Sequence, residues 1–212
     1  QNPDPADWLS WRRTLDGWGY SPLDQINTDN VHQLQLVWAW QLGPGANQTT
    51  PLVHDGVMYI ANPQNIVQAV DAVTGDRLWQ YTREFETEED GIISRRSRSI
   101  AIYGDKIYLN TSDAHIVALD AGTGDLVWSY DPRSYERMEF PPASMGWQHR
   151  GVAYWQDDQS DDARIFIALH DLGDGEVLAE EFQGARFVAH LDLHAPLAAQ
   201  IALSGGIELG PT

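Results

Sequence analysis

Val70-Asp-Ala-Val-Thr-Gly-Asp-Arg-Leu-Trp-Gln-Tyr81 and Leu119-Asp-Ala-Gly-Thr-Gly-Asp-Leu-Val-Trp-Ser-Tyr130 lie 49 residues apart and carry the same pattern. Extended back to His54 and Tyr103, the copies agree at 9 of 28 positions, on Tyr, Ala, Asp, Thr, Gly and Trp rather than on interchangeable aliphatics. A period of this size with strand-like content means stacked sheet modules, typically propeller blades. In the first copy, strands are expected at residues 50–53, 57–61, 66–71 and 77–81, with turns at His54-Asp-Gly56 and Thr74-Gly75. The second copy places them at 99–102, 106–111, 115–120 and 126–130, with turns at Gly104-Asp105 and Thr123-Gly124. Glycine in each turn supplies the positive φ that a tight reversal requires.

The recurring residues have structural work. An indole such as Trp79 or Trp128 at a blade edge can lie between neighbouring blades, burying on the order of 200 Å² while its N–H finds a partner there. Asp71 and Asp120 are read as turn formers, each bonding the amides of its own turn. The repeat therefore builds a scaffold and performs no chemistry. A third copy starts at His149-Arg-Gly-Val-Ala-Tyr-Trp155 and continues through a second expected strand at 164–169. His170-Asp-Leu-Gly-Asp-Gly175 then keeps Asp171, Gly173 and Gly175, but Ala179 stands where the Trp should be. Residues 180–212 contain no further copy and no Trp.

Ahead of the repeats, residues 7–42 carry Trp8, Trp11, Trp18, Trp38 and Trp40. Ile26, Leu34 and Val37 have helix-like spacing that predicts one or two short turns over 24–37. Leu36-Val-Trp-Ala-Trp-Gln-Leu42 alternates as a strand. The division is thus a Trp-rich lead-in with a first strand over 1–42, blades over 43–179 (repeats about 50–81, 99–130 and 150–179), and a degenerate tail over 180–212.

The chain has 31 Asp plus Glu against 13 Lys plus Arg, a net charge of −18. Such a surface repels phosphate backbones and anionic lipid, which argues against nucleic-acid or membrane-surface binding. The acidic runs at 86–90 and 157–162 read as solvated loops. There is no cysteine, hence no disulfide or thiol chemistry, and no Cys-x-x-Cys-His haem signature. No apolar run reaches the roughly 20 residues of a membrane span. The opening Gln1-Asn-Pro-Asp-Pro5 reads as a mature or trimmed end. Asn47-Gln-Thr49 and Asn110-Thr-Ser112 match the glycosylation acceptor pattern, a match common by chance. His54, His115, His149 and His170 lack metal-ligand spacing and read as structural or exposed. No catalytic or metal-ligating residue is assigned.

Ala69-Val-Asp-Ala-Val-Thr-Gly-Asp-Arg-Leu-Trp79 and its copy from Ala118 resemble the tryptophan-docking motif of the quinoprotein dehydrogenases, which use pyrroloquinoline quinone (PQQ) to oxidise alcohols. Asp7-Trp8, Gly17-Trp-Gly-Tyr-Ser-Pro-Leu23, Ile26-Asn27, Asn30-Val31, Thr50-Pro-Leu-Val53, Gly56-Val-Met-Tyr59 and Arg98-Ser-Ile-Ala-Ile-Tyr-Gly-Asp105 are similar too, so the resemblance spans about residues 5–170. It implies an all-β fold: the first two to three four-stranded blades of an eight-bladed propeller, from the N-terminal part of a periplasmic enzyme. PQQ would sit in the central funnel beside a calcium or lanthanide ion whose ligands lie outside this chain. The substrate would be a small alcohol, and electrons would pass to cytochrome c or another acceptor on another chain. In the family the cofactor takes a hydride at a metal-polarised carbonyl while an Asp takes the hydroxyl proton. The metal ligands and that Asp belong to later blades, so the chain alone is expected to be inactive.

Arg98 matches the family's arginine that reaches the anionic cofactor, a role suited to a guanidinium fork. Arg150 heads a second Arg-Gly-Val-Ala-Tyr stretch and competes for that role. Gln48 falls where many relatives have a Glu touching PQQ, and its amide can still hydrogen-bond. Ile92-Ile93 replaces the family's adjacent cysteines, so the unusual disulfide is absent. The alternative is a non-catalytic propeller of the same repeat, a scaffold for outer-membrane protein assembly. The lead-in and Arg98-Ser-Ile-Ala favour the enzyme; the missing Glu and cysteine pair favour the scaffold.

Overall fold

Two four-stranded antiparallel sheets carry the two copies of the repeat in the computed structural model. It describes residues 3–14, 16–84, 96–97, 100–113, 115–131 and four strands at 152–156, 163–167, 178–182 and 185–189. A short strand β1 (Ala46–Asn47) precedes the first sheet, made of β2 (Leu52–His54), β3 (Val57–Asn62), β4 (Ile66–Asp71) and β5 (Arg77–Thr82) in sequential order. A second short strand, β6 (Arg96–Ser97), precedes β7 (Ile100–Tyr103), β8 (Lys106–Asn110), β9 (Ile116–Asp120) and β10 (Leu126–Tyr130). Two successive up-and-down sheets of this kind are propeller blades.

The identical residues of the repeat each have a place. Ala69 lies directly between Tyr59 on β3 and Trp79 on β5, and Ala118 between Tyr108 and Trp128. A larger side chain would separate the two rings, which meet over the alanine at centroid distances of 6.0 and 5.9 Å. Asp71 Oδ1 accepts from the amides of Val73 and Thr74, and Asp120 Oδ1 from those of Gly122 and Thr123, all at 2.8–2.9 Å. These amide bonds hold the exposed Asp71 carboxyl below its usual range. Gly75 and Gly124 close the turns at φ +79 and +78, which a residue bearing a Cβ adopts only with strain.

The repeated pattern also joins blade to blade. Trp79 Nε1 donates to the carbonyl of Ala121 at 2.9 Å, Tyr59 Oη donates to the same oxygen at 3.3 Å, and the Trp79 ring lies flat against Gly124. One buried cluster accordingly runs through both sheets, with Tyr59, Val67, Ala69 and Trp79 from the first and Ile107, Leu109, Val117 and Leu119 from the second.

Trp38 repeats this contact one step earlier. Its Nε1 donates to Ala72 O at 3.2 Å, and its ring covers Gly75. The strand expected over residues 36–42 is nevertheless not formed. Alternation supplies two faces, but a strand also needs a neighbour for its amides, and none runs beside this stretch among the described residues. Leu36 and Val37 are more than four-fifths exposed. The helical spacing upstream yields a single 3-10 turn, Val31–Gln33.

The third sheet departs from the repeat. β11 (Val152–Gln156) and β12 (Ala163–Ile167) pair antiparallel as expected, but β12 then takes β14 (Ala185–Ala189) as a parallel neighbour, with β13 (Leu178–Phe182) outside it. Strands thus fall within the segment that shows no repeat in sequence. This is the copy that lacks both the Thr-Gly pair and the Trp, so nothing in its sequence holds a third strand in the hairpin order of the first two sheets. No helix among the described residues is long and apolar enough to cross a membrane.

The lead-in is clipped to the first blade by Asp7. Trp8 and Val53 exchange backbone hydrogen bonds of 2.8 and 2.9 Å, and the buried Asp7 carboxylate accepts from His54 Nδ1 at 2.8 Å and from the Asp55 amide at 3.1 Å. Arg13, also buried, donates to the Asp7, Asp4 and Pro3 carbonyls. Asp7→Ala strands the Asp55 amide and His54, and is expected to cost about 1–3 kcal/mol in urea unfolding. Protease cleavage within residues 9–35 should accelerate before any in the sheets; an unchanged rate and midpoint would show the clip to be idle.

Candidate functional site

Gln48 is placed at one end of the first blade, opposite the Asp-x-x-Thr-Gly turns. The sheets are antiparallel, so that end collects the residues before β2, the β3–β4 turn, the exit of β5 and the corresponding parts of the second blade. β1 and β6 run parallel there, with Ala46 beside Arg96 and Asn47 beside Ser97. Gln48 and Arg98 are therefore the next residues in sequence after one aligned pair. Gln48 is exposed, and its carboxamide takes no part in the hydrogen bonds of the described residues. Arg98, Arg150, Ile92, Ile93, His149, His170 and the acidic runs at 86–90 and 157–162 lie outside the described residues.

The segment carrying Gln48 is held on both sides. Asn47 Nδ2 donates to Asn62 Oδ1 at 3.1 Å, and the Thr49 amide donates back to Asn47 Oδ1 at 3.4 Å. Beyond it, polar side chains join the two blades. Asn65, held at φ +58 in the β3–β4 turn, donates to Ser112 Oγ at 2.8 Å and accepts from the Ser112 amide at 3.0 Å, both residues being buried. Arg83, just past β5, donates through Nε and Nη2 to Asp113 Oδ2 at 2.9 and 2.8 Å, and His115 Nδ1 lies 3.2 Å from the same oxygen.

Burial pushes the Asp113 carboxyl up, but the hydrogen bonds from His115, Arg83 and Thr111 outweigh it and hold the group well below the usual carboxylate range. His115 is raised, first by its bond to Asp113 and against the opposing effect of burial. Burial lowers the Arg83 guanidinium, but Asp113 and Tyr81 more than compensate, so it is held above its usual value. The end of the fold that carries Gln48 is thus fixed by an ion pair bridging the blades.

Asp7, His54 and Asp55 offer three possible metal-ligand atoms within 4.8 Å of one another. Both Asp7 oxygens and His54 Nδ1 are already bonded to each other or to backbone, leaving one imidazole nitrogen and the exposed Asp55 carboxylate. This cluster also sits at the β2–β3 turn, at the far end of the blade from Gln48. It is a structural clip.

Residues 8–106 and 95–179 match the family described as PQQ: glucose/ethanol/alcohol dehydrogenase, beta-propeller domain. The chain belongs to this family. Its two blades are part of a PQQ-type propeller. Among curated relatives, it is 43% identical over 117 residues to the dehydrogenase subunit of the quinone-dependent alcohol dehydrogenase of Gluconobacter oxydans, covering 54% of this chain and 16% of the relative. With the quinohemoprotein alcohol dehydrogenase ADH-IIG of Pseudomonas putida it shares 35% over 140 residues, 65% of this chain and 20% of that protein. The solved structure of ADH-IIG superimposes with a TM-score of 0.56 at 38% identity, over 61% of this chain and 19% of that one. A europium-containing methanol dehydrogenase gives 0.54 at 31% identity, over 60% and 23%. The chain spans about a fifth of the length of these relatives.

Sequence reasoning places Gln48 and Arg98 as candidates but passes over Arg83, Asp113, Asn62 and Asn65. The reason is distance along the chain: Arg83 meets Asp113 across 30 residues and Asn65 meets Ser112 across 47, with no motif spacing to mark either pair. His115, read from sequence as structural, is part of the inter-blade ion pair.

Proposed function

We propose that this chain supplies the opening blades of a quinoprotein alcohol dehydrogenase, with Gln48 and Arg98 as its contacts to PQQ. The observation that carries the proposal is the β1–β6 register, which ends immediately before both residues. The donor set suits an anionic cofactor: a guanidinium for its negative charge, and the exposed Gln48 carboxamide for a further hydrogen bond. When bound, PQQ supplies the redox chemistry, accepting the hydride of a small alcohol. This chain's own residues would bind and orient it, while the inter-blade bonds at Asn65 and Asp113 hold the two blades to each other. A calcium or lanthanide ion would be held by residues of further blades, since the Asp7–His54–Asp55 group lies at the opposite end of the sheet. The proposal includes a periplasmic location and an electron acceptor, cytochrome c or another, on a separate chain.

The test is a titration of the 212-residue chain with PQQ, with and without calcium or a lanthanide, followed by tryptophan emission. Quenching at micromolar PQQ is expected, and Arg98→Ala should weaken it about tenfold or more, the worth of a charge-assisted hydrogen bond. The chain should show no turnover of a primary alcohol with an artificial electron acceptor. Turnover would overturn the placement of the catalytic groups on further blades. Absence of quenching under all conditions would favour a scaffold that binds no quinone.

A further inference from the structure

Five side chains form a continuous relay across the first blade, from the segment that carries Gln48 to the outer strand. Asn47 Nδ2 donates to Asn62 Oδ1 at 3.1 Å, Asn62 Nδ2 to Gln68 Oε1 at 2.7 Å, Gln68 Nε2 to Gln80 Oε1 at 2.7 Å, and Gln80 Nε2 to Thr82 Oγ1 at 3.2 Å. The relay crosses β1, β3, β4 and β5.

The direction of every amide in it is fixed by chemistry. An arginine can only donate, so the Gln80 atom 2.9 Å from Arg77 Nη1 must be oxygen. Gln68 must then present its nitrogen to Gln80 and its oxygen to Asn62. Asn62 in turn gives its nitrogen to Gln68 and its oxygen to Asn47, which leaves the Asn47 oxygen facing the Thr49 amide. A backbone N–H can only donate, so the far end agrees. Two donors of fixed sense, one at each end, therefore accept a single orientation of all four amides, and hydrogen bonds aligned this way reinforce one another.

Asn62 is the inner link. It is 3% exposed, whereas Gln80 and Arg77 are exposed at the outer end. Water can replace the outer bonds but not those of Asn62. With Asn62 holding Nδ2 and the Thr49 amide holding Oδ1, the Asn47 side chain spans Gln48 and restricts its backbone from both sides.

We propose that Asn62 is a positioning residue for Gln48, acting through Asn47, with Gln68 holding the Asn62 amide in the required orientation. The proposal rests on the assignment of Gln48 as a PQQ contact. Its test is made on the chain without cofactor, so that the two stand or fall separately. The measurement is hydrogen exchange of segment 46–49 in the 212-residue chain, against segment 116–120 of the second blade, which holds none of the varied residues, as an internal reference.

Asn62→Leu removes both bonds and should speed exchange of 46–49 about fivefold or more, relative to the reference. Because that variant also changes a buried site, the deciding pair is at the half-buried Gln68. Gln68→Glu keeps the oxygen that Asn62 needs. Its second oxygen loses the bond to Gln80 Oε1, but Gln80 and Arg77 are exposed and can turn toward the carboxylate, so 46–49 should stay as protected as in the parent chain. Gln68→Met has similar volume but no strong acceptor, and should release 46–49 severalfold. Equal behaviour of the Glu and Met variants would overturn the relay, because packing alone does not distinguish an acceptor from a thioether. Loss of protection in Asn62→Leu with unchanged order at the Gln48 amide, read by ¹⁵N relaxation, would overturn the positioning role. PQQ titration of the same variants then tests only the identity of the ligand at Gln48.

Discussion

Gly124→Ala is expected to destabilise the chain by about 3 kcal/mol in urea unfolding, far more than an alanine at Gly104. Both glycines have positive φ, +78 and +56, so both substitutions meet the left-handed penalty of roughly 1–2 kcal/mol. They differ in what the new methyl group would touch. At Gly104 nothing lies within 4 Å, while at Gly124 the Cβ would sit 2.5 Å from the Trp79 ring. Real contacts are never that short, so the indole must move. Its N–H then leaves the Ala121 carbonyl, and overpacking adds about 1–3 kcal/mol. The difference between the two variants isolates the join between blades from the turn itself. Gly75→Ala should behave like Gly124→Ala, because its Cβ would meet the Trp38 ring at 2.8 Å. Equal midpoint shifts for Gly104→Ala and Gly124→Ala would show that the indole contributes no specific contact. Tryptophan emission gives an independent reading, since displacement of the ring into water should shift it to the red in Gly124→Ala and not in Gly104→Ala.

That comparison also marks what sequence could and could not convey. The residues of the repeat were legible because each has a local task that no other residue type performs. Asp71 and Asp120 bond amides two and three positions ahead, Gly75 and Gly124 take a conformation that favours glycine beneath a packed indole, and Ala69 and Ala118 leave room for two rings. The strand bounds in both blades follow from these anchors to within about two residues. Pairing was not legible where local pattern and partner came apart. Residues 36–42 alternate like a strand, yet they only extend along the blade with Trp38 in its slot, because ladder formation depends on a neighbour. In the third sheet the anchors are missing, and β12 pairs in parallel with a strand from the segment that shows no repeat.

The two candidate site residues, Gln48 and Arg98, were named through resemblance alone. Composition does not distinguish Gln48 from the chain's other glutamines. What sets it apart is that β1 and β6 align, which brings residue 47 beside residue 97 across 50 positions of sequence. The amides and the ion pair that hold this end of the fold carry no pattern at all. Asn47, Asn62, Gln68 and Gln80 fall on four strands and become a relay only once those strands are in register.

Asp113→Asn should cost about 2 kcal/mol and should also remove a pH dependence, which makes it the more informative of the large effects. Asp113 and Arg83 retain side-chain exposures of 12% and 16%, so the penalty falls below the 3–5 kcal/mol found when a fully buried pair loses one partner. The sign of the pH effect follows from the two directions of shift. His115 is raised by Asp113, so its contribution is fully present below the unfolded value of 6.5 and is lost as pH rises through the higher folded value. Asp113 is depressed, so its contribution is present above 3.8 and is lost as pH falls toward its lower folded value. The parent chain should therefore lose stability on both sides of a plateau that lies between these limits. In Asp113→Asn the alkaline decline should flatten, because the largest cause of the His115 shift is gone, and the acid decline should lessen by the share due to this carboxylate. Arg83→Ala separates the two arms: it removes a partner of Asp113 but leaves the His115–Asp113 bond, so the alkaline decline should persist. Urea midpoints measured from pH 2 to 9 on the three chains decide the matter. An Asp113→Asn profile parallel to that of the parent above pH 6.5 would mean that Asp113 is not what raises His115.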